Sequence, residues 1–398
     1  MNILQINTRY IGGGGASAIA NLLHTSINNI DGMKSIFLYG RGSSNDLNSI
    51  KIAKEFECYI SAASTRIIGR ELNRGLSKDI KEEIDKADIV HIHNLHGYYI
   101  DYEELIEYIV KKRKKVVWTL HDIWSFTGRC AVSTKCNKWE HGCGNCDFLN
   151  MYPSTYHDVS SELWKKKKYI FTKLDKEKTI FITPSSWLKE LMEKSFLSNY
   201  NIKVINNGVE KSNYINTEKN ELRKKLGLPI NKKIILFVAA DPSNEIKGIK
   251  FILDILDKVD KDVVFVSLGK LINTESDNLI QLGYINDRNE IYKVYRSSDI
   301  FVIPSLADNF PTTVIEAFAN GIPVVGFNTG GIQEQIINGV NGFLTDAKSS
   351  DELLDKINLV LTKLVNNEIN ENKILEEFKE KYTLEKFKAN YIEQYRNL

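Results

Sequence analysis

The sequence has no run approaching the roughly 18 consecutive apolar residues that a membrane span requires. Its first fifteen residues lack the basic-then-apolar order of a secretory signal, so a cytoplasmic protein is expected. No repeat of solenoid length and no low-complexity segment is present. No nucleic-acid recognition motif accompanies its basic residues, so no nucleic-acid partner is expected. Hydrophobic residues at 42% and charged residues at 26% lie near soluble averages, which argues against a fibre or wholesale disorder. What is present is length: 398 residues exceed a single compact core and imply at least two domains.

The net charge of +2 conceals an asymmetry. Residues 1–205 hold 29 Lys and Arg against 23 Asp and Glu, and the remainder is net acidic. Two basic blocks stand out, Lys111-Lys112-Arg113-Lys114-Lys115 and Lys165-Lys166-Lys167-Lys168. Such blocks either attract anionic lipid headgroups or form solvated helix ends. Peripheral contact with the inner face of a membrane is therefore one expectation.

Short Val/Ile-rich runs alternate with amphipathic stretches along the whole chain. Strands are expected at Ile3–Ile6, Ser35–Leu38, Ile89–His93, Val116–Leu120 and Ile180–Pro184. A second series follows at Lys233–Ala239, Val263–Leu268, Leu279–Tyr284, Phe301–Pro304 and Val324–Phe327. Helical patterns such as Ala16–Ile27, Tyr102–Lys112, Trp187–Lys194, Lys250–Lys258 and Thr313–Ala319 separate them. The alternation predicts an α/β chain with parallel sheets. The seam falls at Val204-Ile205-Asn206-Asn207-Gly208-Val209, giving domains 1–205 and 206–383. The terminal pattern 384–398, with Phe387, Tyr391 and Tyr395 on one stripe, can pack back on the first.

Four consecutive glycines, Gly12 to Gly15, join the first strand to its helix and leave backbone amides open to an anionic or oxygen-rich ligand. The spacing differs from Gly-x-Gly-x-x-Gly and no acid ends the second strand, which disfavours a dehydrogenase. Farther on, Asp308 precedes Pro311 at a helix start, with Glu316 one turn inside. Both carboxylates fall at the C-terminal edge of the second sheet, where open α/β folds bind ligands. They suit the hydroxyls of a sugar and a ribose.

The block Asp299–Ser305, the acid-x7-Glu spacing, Ala317-x-Ala319-x-Gly321-x-Pro323, Gly330-Gly331-Ile332-x-Glu334 and Asn338-Gly339-x-Asn341-Gly342-Phe343 form one continuous pattern. It resembles the nucleotide-sugar half of retaining family 4 glycosyltransferases. That family has the GT-B architecture, two Rossmann-like domains facing an interdomain cleft. Asn206-Asn207-Gly208, His91-x-His93 and His121-Asp122 resemble its other signatures, so the likeness covers nearly the whole chain. Trp124-x-Phe126-Thr127-Gly128 followed by cysteines is similar to polysaccharide-assembly enzymes of the colanic-acid type.

The resemblance implies a donor site of Gly13, Gly14, Gly15, Lys247, Asn309, Phe310, Pro311, Thr312 and Glu316, with His121, Lys247 and Asp308 catalytic. It implies transfer from a nucleotide diphosphate sugar, UDP favoured over GDP, to a hydroxyl of a growing or lipid-linked glycan, without a catalytic metal. The sequence departs from the family twice. Asp308 stands where Glu is usual. The strand ending Val238-Ala239-Ala240-Asp241 also lacks the diphosphate-holding Arg, for which Arg129 is a candidate substitute. These departures motivate a competing reading, a catalytically inert partner of an active transferase.

Cys130, Cys136, Cys143 and Cys146 crowd one polar loop, while Cys58 stands apart as a small hydrophobe. The spacing is compatible with a structural Zn(Cys)4 clamp or with reduced or disulfide-paired thiols.

Overall fold

The computed structural model describes all residues of the chain except Gly13 and Thr134. The chain divides into two compact units, Met1–Ile205 with Lys388–Leu398, and Asn206–Phe387.

The first unit carries seven strands: β1 (Asn2–Arg9), β2 (Lys34–Arg41), β3 (Ser49–Lys51), β4 (Ile89–Ile92), β5 (Lys115–Thr119), β6 (Thr179–Thr183) and β7 (Asn201–Val204). They pair in parallel in the order β3-β2-β1-β4-β5-β6-β7. The second unit carries β8 (Lys233–Ala239), β9 (Val263–Gly269), β10 (Leu279–Gln281), β11 (Ile300–Ile303), β12 (Val324–Phe327) and β13 (Gly342–Thr345). Their order, β10-β9-β8-β11-β12-β13, is again parallel throughout.

The central strands are apolar on both faces because helices cover both sides of a parallel sheet. In β8, Ile234, Ile235, Leu236 and Phe237 are all fully buried, each worth about 2 kcal/mol relative to exposure. The expected α/β architecture is present, with longer sheets than expected. The added strands β3, β7 and β13 hold only three or four residues each. β3 and β7 lie at sheet edges and mix polar with apolar residues, each ending its sheet as a short edge strand. The helix expected at Lys250–Lys258 closes after Ile249–Leu253, and the third strand of the second unit stops at Gln281.

The last helix, Leu384–Asn397, returns the chain to the first unit. The Tyr391 and Tyr395 hydroxyls hydrogen-bond Thr119 Oγ1 at 2.9 Å and His91 Nδ1 at 2.7 Å beneath the first sheet's surface. The terminal aromatic stripe is core, and both rings are buried. Among the described residues, no helix is long and apolar enough to cross a membrane.

Candidate active site

In the second unit, three loops meet at the C-terminal edge of the sheet, following β8, β11 and β12. Lys247 ends a 3-10 turn after β8, and Asp308 lies in the loop after β11. The Lys247 ammonium donates to Asp308 Oδ2 at 2.7 Å. The shorter acid at 308 thus reaches a cation within its own unit.

Backbone contacts enforce this approach. The Leu306 N–H donates to the Ile246 carbonyl at 2.7 Å. Gly248 is left-handed (φ 69°), and a Cβ there would overlap the Pro304 carbonyl oxygen. Gly330 is also left-handed (φ 54°), and its absent Cβ leaves room for the Asp308 carbonyl, which accepts from Gly331 N at 3.0 Å. Only glycine fits both places.

The segment Asn309–Thr312 is tied down through its carbonyls. Asn207 Nδ2 donates to the Phe310 carbonyl at 2.8 Å, and Gln335 Nε2 to that of Pro311 at 3.1 Å. Gln335 is itself held by Asn341, whose Nδ2 donates to its carbonyl at 2.9 Å. The Asn-Asn-Gly seam and the Asn338–Phe343 motif are thereby positioning devices for one loop, a role that spacing alone did not reveal.

Pro311 caps the helix Thr312–Ala319, and Glu316 is its fifth residue. Glu316 is half-buried against Tyr295 and Arg288. Burial pushes its carboxyl above the usual range, against the pull of Arg288 and the Tyr295 hydroxyl. Where the resemblance would place an Arg, Asp241 follows β8 instead. Beside it stands Lys270, whose N–H donates to the Ala239 carbonyl at 2.9 Å and whose ammonium lies 3.6 Å from Asp241.

In the first unit the equivalent sheet edge is rich in histidine. His121 follows β5, and its Nε2 lies 3.0 Å from His93 Nδ1. Burial lowers the His121 pKa to about 4, with Asp122 pulling it up and His96 down, so the ring is neutral at neutral pH. His91 and His93 share one face, their rings 4.1 Å apart, and both are kept neutral by burial. His96, which the sequence reading passed over, hydrogen-bonds Asp122 Oδ2 at 2.8 Å and Tyr152 at 3.3 Å. Burial works to raise the Asp122 carboxyl, yet His96, the Trp124 amide and His121 together hold it below the usual range. The succession of histidines at 91, 93 and 96 after a buried strand was the available signal.

Gly14 precedes the helix Gly15–Asn28 with φ 76°, and open space surrounds Gly14 and Gly15. Gly13 lies outside the described residues. The expected site residues therefore fall into two groups, one in each unit. Lys247, Asp308, Asn309–Thr312 and Glu316 share the second unit's sheet edge. His121, Gly14 and Gly15 belong to the first.

Arg129 does not replace the missing Arg. It is buried, and its guanidinium donates to the carbonyls of Phe148, Met151 and Pro153, holding the cysteine loop. Cys130, Cys136, Cys143 and Cys146 are free thiols lining one cavity of about 30 Å³. Gly128 N donates to Cys143 Sγ at 3.2 Å, and burial pushes the Cys143 thiol up to about 11. Among the described residues, no group of three or more His, Cys, Asp or Glu side chains could hold a metal ion. The zinc clamp expected from the spacing thus has no ligand set here, and Arg129 is the observed staple.

A second cavity in the first unit, about 200 Å³, is lined by Glu71, Asp101, Tyr102, Trp124 and Lys167 among others. Buried Lys167 donates to the Trp124 and Thr127 carbonyls at 2.7 and 3.2 Å, and burial lowers its pKa to about 7.

Family models match both units. Residues 59–213 match Glycosyltransferase Family 4, and residues 218–377 match Glycosyl transferases group 1. The chain carries two glycosyltransferase domains. A putative colanic acid biosynthesis glycosyl transferase, WcaC of Escherichia coli (strain K12), is 26% identical over 84% of this chain and 85% of its own length. An Escherichia coli UDP-Gal:alpha-D-GlcNAc-diphosphoundecaprenol alpha-1,3-galactosyltransferase is 28% identical over 48% of this chain and 54% of its own. Among solved structures, Anabaena Alr3699/HepE in complex with UDP has a TM-score of 0.68 at 17% identity, covering all of both chains. That likeness establishes the GT-B fold. The Lys247–Asp308 edge lies within the group 1 domain, and the His121–Asp122 edge within the family 4 domain.

Proposed function

We propose that this glycosyltransferase is a retaining enzyme that moves a sugar from UDP-sugar to a hydroxyl of a growing, lipid-linked glycan in cell-surface polysaccharide assembly. The observation that carries the reading is the Lys247–Asp308 pair, locked at the group 1 sheet edge beside the helix bearing Glu316. A diphosphate placed there would meet the Lys247 ammonium and the amides of the helix start, which stabilise negative charge as it develops. Glu316 would accept from ribose hydroxyls and Asp308 from the sugar. Asn309–Thr312 would line the donor. On the first unit's own sheet edge, neutral His121 would be the catalytic residue. Lys270 is the substitute for the absent Arg, acting as a point charge where a guanidinium would fork.

The donor class and linkage are supported by the α-1,3-galactosyltransferase relative, whose name records a UDP-galactose donor and an α product. The role in polysaccharide assembly is supported by the colanic acid relative. In the proposed step, the bond from the anomeric carbon to the β-phosphate oxygen breaks, and the acceptor oxygen bonds on the same face. The acceptor's proton passes to the leaving phosphate. The cavity beside Trp124 and Lys167, mixing acid, base and aromatic surface, is the acceptor-side candidate. An inert partner would need neither the locked cation nor the threefold anchoring of the Asp308–Thr312 loop.

The test is product stereochemistry. UDP-glucose, UDP-galactose and UDP-N-acetylglucosamine are each supplied with sugar-diphosphoundecaprenol acceptors, and the new linkage is read by NMR. An α product with release of UDP is expected. A β product overturns retention, and transfer from GDP-sugars alone overturns the donor assignment.

A further inference from the structure

The helix Glu55–Ile68 in the first unit is amphipathic the wrong way round. Tyr59, Ile60 and Ile67 point outward, each more than half exposed, while the buried positions are Cys58, Ser61 and Thr65, which are small or polar. An ordinary surface helix turns its apolar stripe to the core. Here Glu57, Ser61 and Thr65, spaced four residues apart, form a polar stripe instead.

The space under that stripe is hollow. Glu57 lines a cavity of about 550 Å³, a volume in the range of small-molecule sites. Thr65 lines the smaller cavity beside Trp124. Between them on the helix, Ser61 donates to Asn73 Oδ1 at 2.9 Å, and Asn73 lines both cavities.

Another wall of the larger cavity is the segment after β4. Tyr98 there has φ 68°, a left-handed conformation that costs a bulky residue about 1–3 kcal/mol. Its neighbours impose it. The Tyr99 hydroxyl donates to the Asn94 carbonyl at 2.7 Å, and the Tyr99 ring packs against Gly40, where a Cβ would overlap it. Asn73 Nδ2 donates to the Ile100 carbonyl at 2.8 Å. Tyr98 is only 8% exposed, lines the cavity, and its hydroxyl has no hydrogen-bond partner among the described residues. On the helix side, Glu57 Oε1 is buried and accepts no hydrogen bond, although the Arg74 guanidinium stands 3.1 Å away. Backbone strain kept beside unmet hydrogen-bonding groups points to a ligand.

The lining selects its chemistry. Lys51 pairs with Glu55, Arg74 pairs with Glu57, and the Lys54 ammonium lies over the outward Phe56 ring, so an anionic ligand finds little to hold it. A purely apolar ligand would strand the Tyr98 hydroxyl and the Glu57 carboxylate. Leu72, Leu76 and Ile80 supply apolar surface beside these polar groups. Uncharged hydroxyls around an apolar ring face match this combination, and that is a sugar.

We propose that this cavity binds an uncharged stretch of glycan, with the Tyr98 hydroxyl and the Glu57 carboxylate as its polar contacts. Because Asn73 walls both cavities, a chain seated here would continue to the one beside Trp124, and the acceptor would be an oligosaccharide. The acceptor's length rests on the transferase reading; glycan binding does not.

The test is an array of mono- to hexasaccharides, neutral and uronate-bearing, probed with the full chain and followed by calorimetry. Neutral chains of two or more sugars are expected to bind, and monosaccharides and uronates to bind more weakly. Tyr98→Phe should lose about tenfold in affinity with its melting temperature unchanged, because the hydroxyl bonds no described residue. UDP titration of the variant should match the parent, since Tyr98 lies outside the group 1 domain. No oligosaccharide bound, uronates alone bound, or parental affinity in Tyr98→Phe overturns the proposal. Glycan binding without UDP binding leaves this cavity standing and removes the donor reading instead. UDP binding without glycan binding removes this cavity alone.

Discussion

At the residue scale, the first unit stores a pH dependence in its histidines. His121, with its pKa lowered to about 4, His91, lowered to about 3, and His93, lowered well below its usual range, are all held neutral by burial. In the unfolded chain each takes up a proton near its ordinary value of 6.5. Between that value and about 4, the unfolded state therefore binds protons that the folded state rejects, and stability falls as pH falls. The slope is at most about 1.4 kcal/mol per pH unit for each histidine. Thermal melts at matched ionic strength should show a lower melting temperature at pH 5 than at pH 7.5. A flat profile, or stabilisation by acid, would contradict the buried, neutral assignment. The same scale explains what the sequence left ambiguous. His121 and Asp308 stood out in the sequence because neighbouring residues completed a pattern, whereas His96 gained meaning only from its 2.8 Å bond to Asp122.

At the element scale, the proposed donor edge depends on loops that approach too closely for any side chain. Gly248→Ala would set a Cβ against the Pro304 carbonyl and force a left-handed residue, a strain of about 1–3 kcal/mol. The expected result is at least tenfold weaker UDP binding by calorimetry with only a modest loss of melting temperature. UDP binding at parental strength in Gly248→Ala would show that the approach of the two loops is dispensable. The buried strands β8, β11 and β12 were plain in the sequence, because their apolar runs sit between turn residues. β3 was not, since an edge strand of three residues looks like a loop until its neighbour is known, and of β7 only the end at Val204 stood out. The helix Glu55–Ile68 escaped for a related reason. Its apolar stripe is regular, but periodicity does not say whether a stripe faces the core or solvent, and here it faces solvent.

At the scale of the whole molecule, the chain comprises two α/β units, each built on a parallel sheet. The group 1 domain gathers Lys247, Asp308 and Glu316 on one sheet edge. The family 4 domain holds the neutral histidines, the acid–base cavity beside Trp124 and the outward apolar helix. In the cysteine loop, four thiols line one cavity and a buried arginine holds the loop. The central claim is a working donor site on the group 1 edge, and the most direct measurement is calorimetric titration of the purified chain with UDP, GDP and ADP. Saturable binding of UDP is expected, weakened at least tenfold in Lys247→Ala and in Glu316→Ala, each of which removes a charged or hydrogen-bonding partner of the nucleotide. No heat with any of the three nucleotides from folded protein, or parental affinity in both variants, would contradict the account.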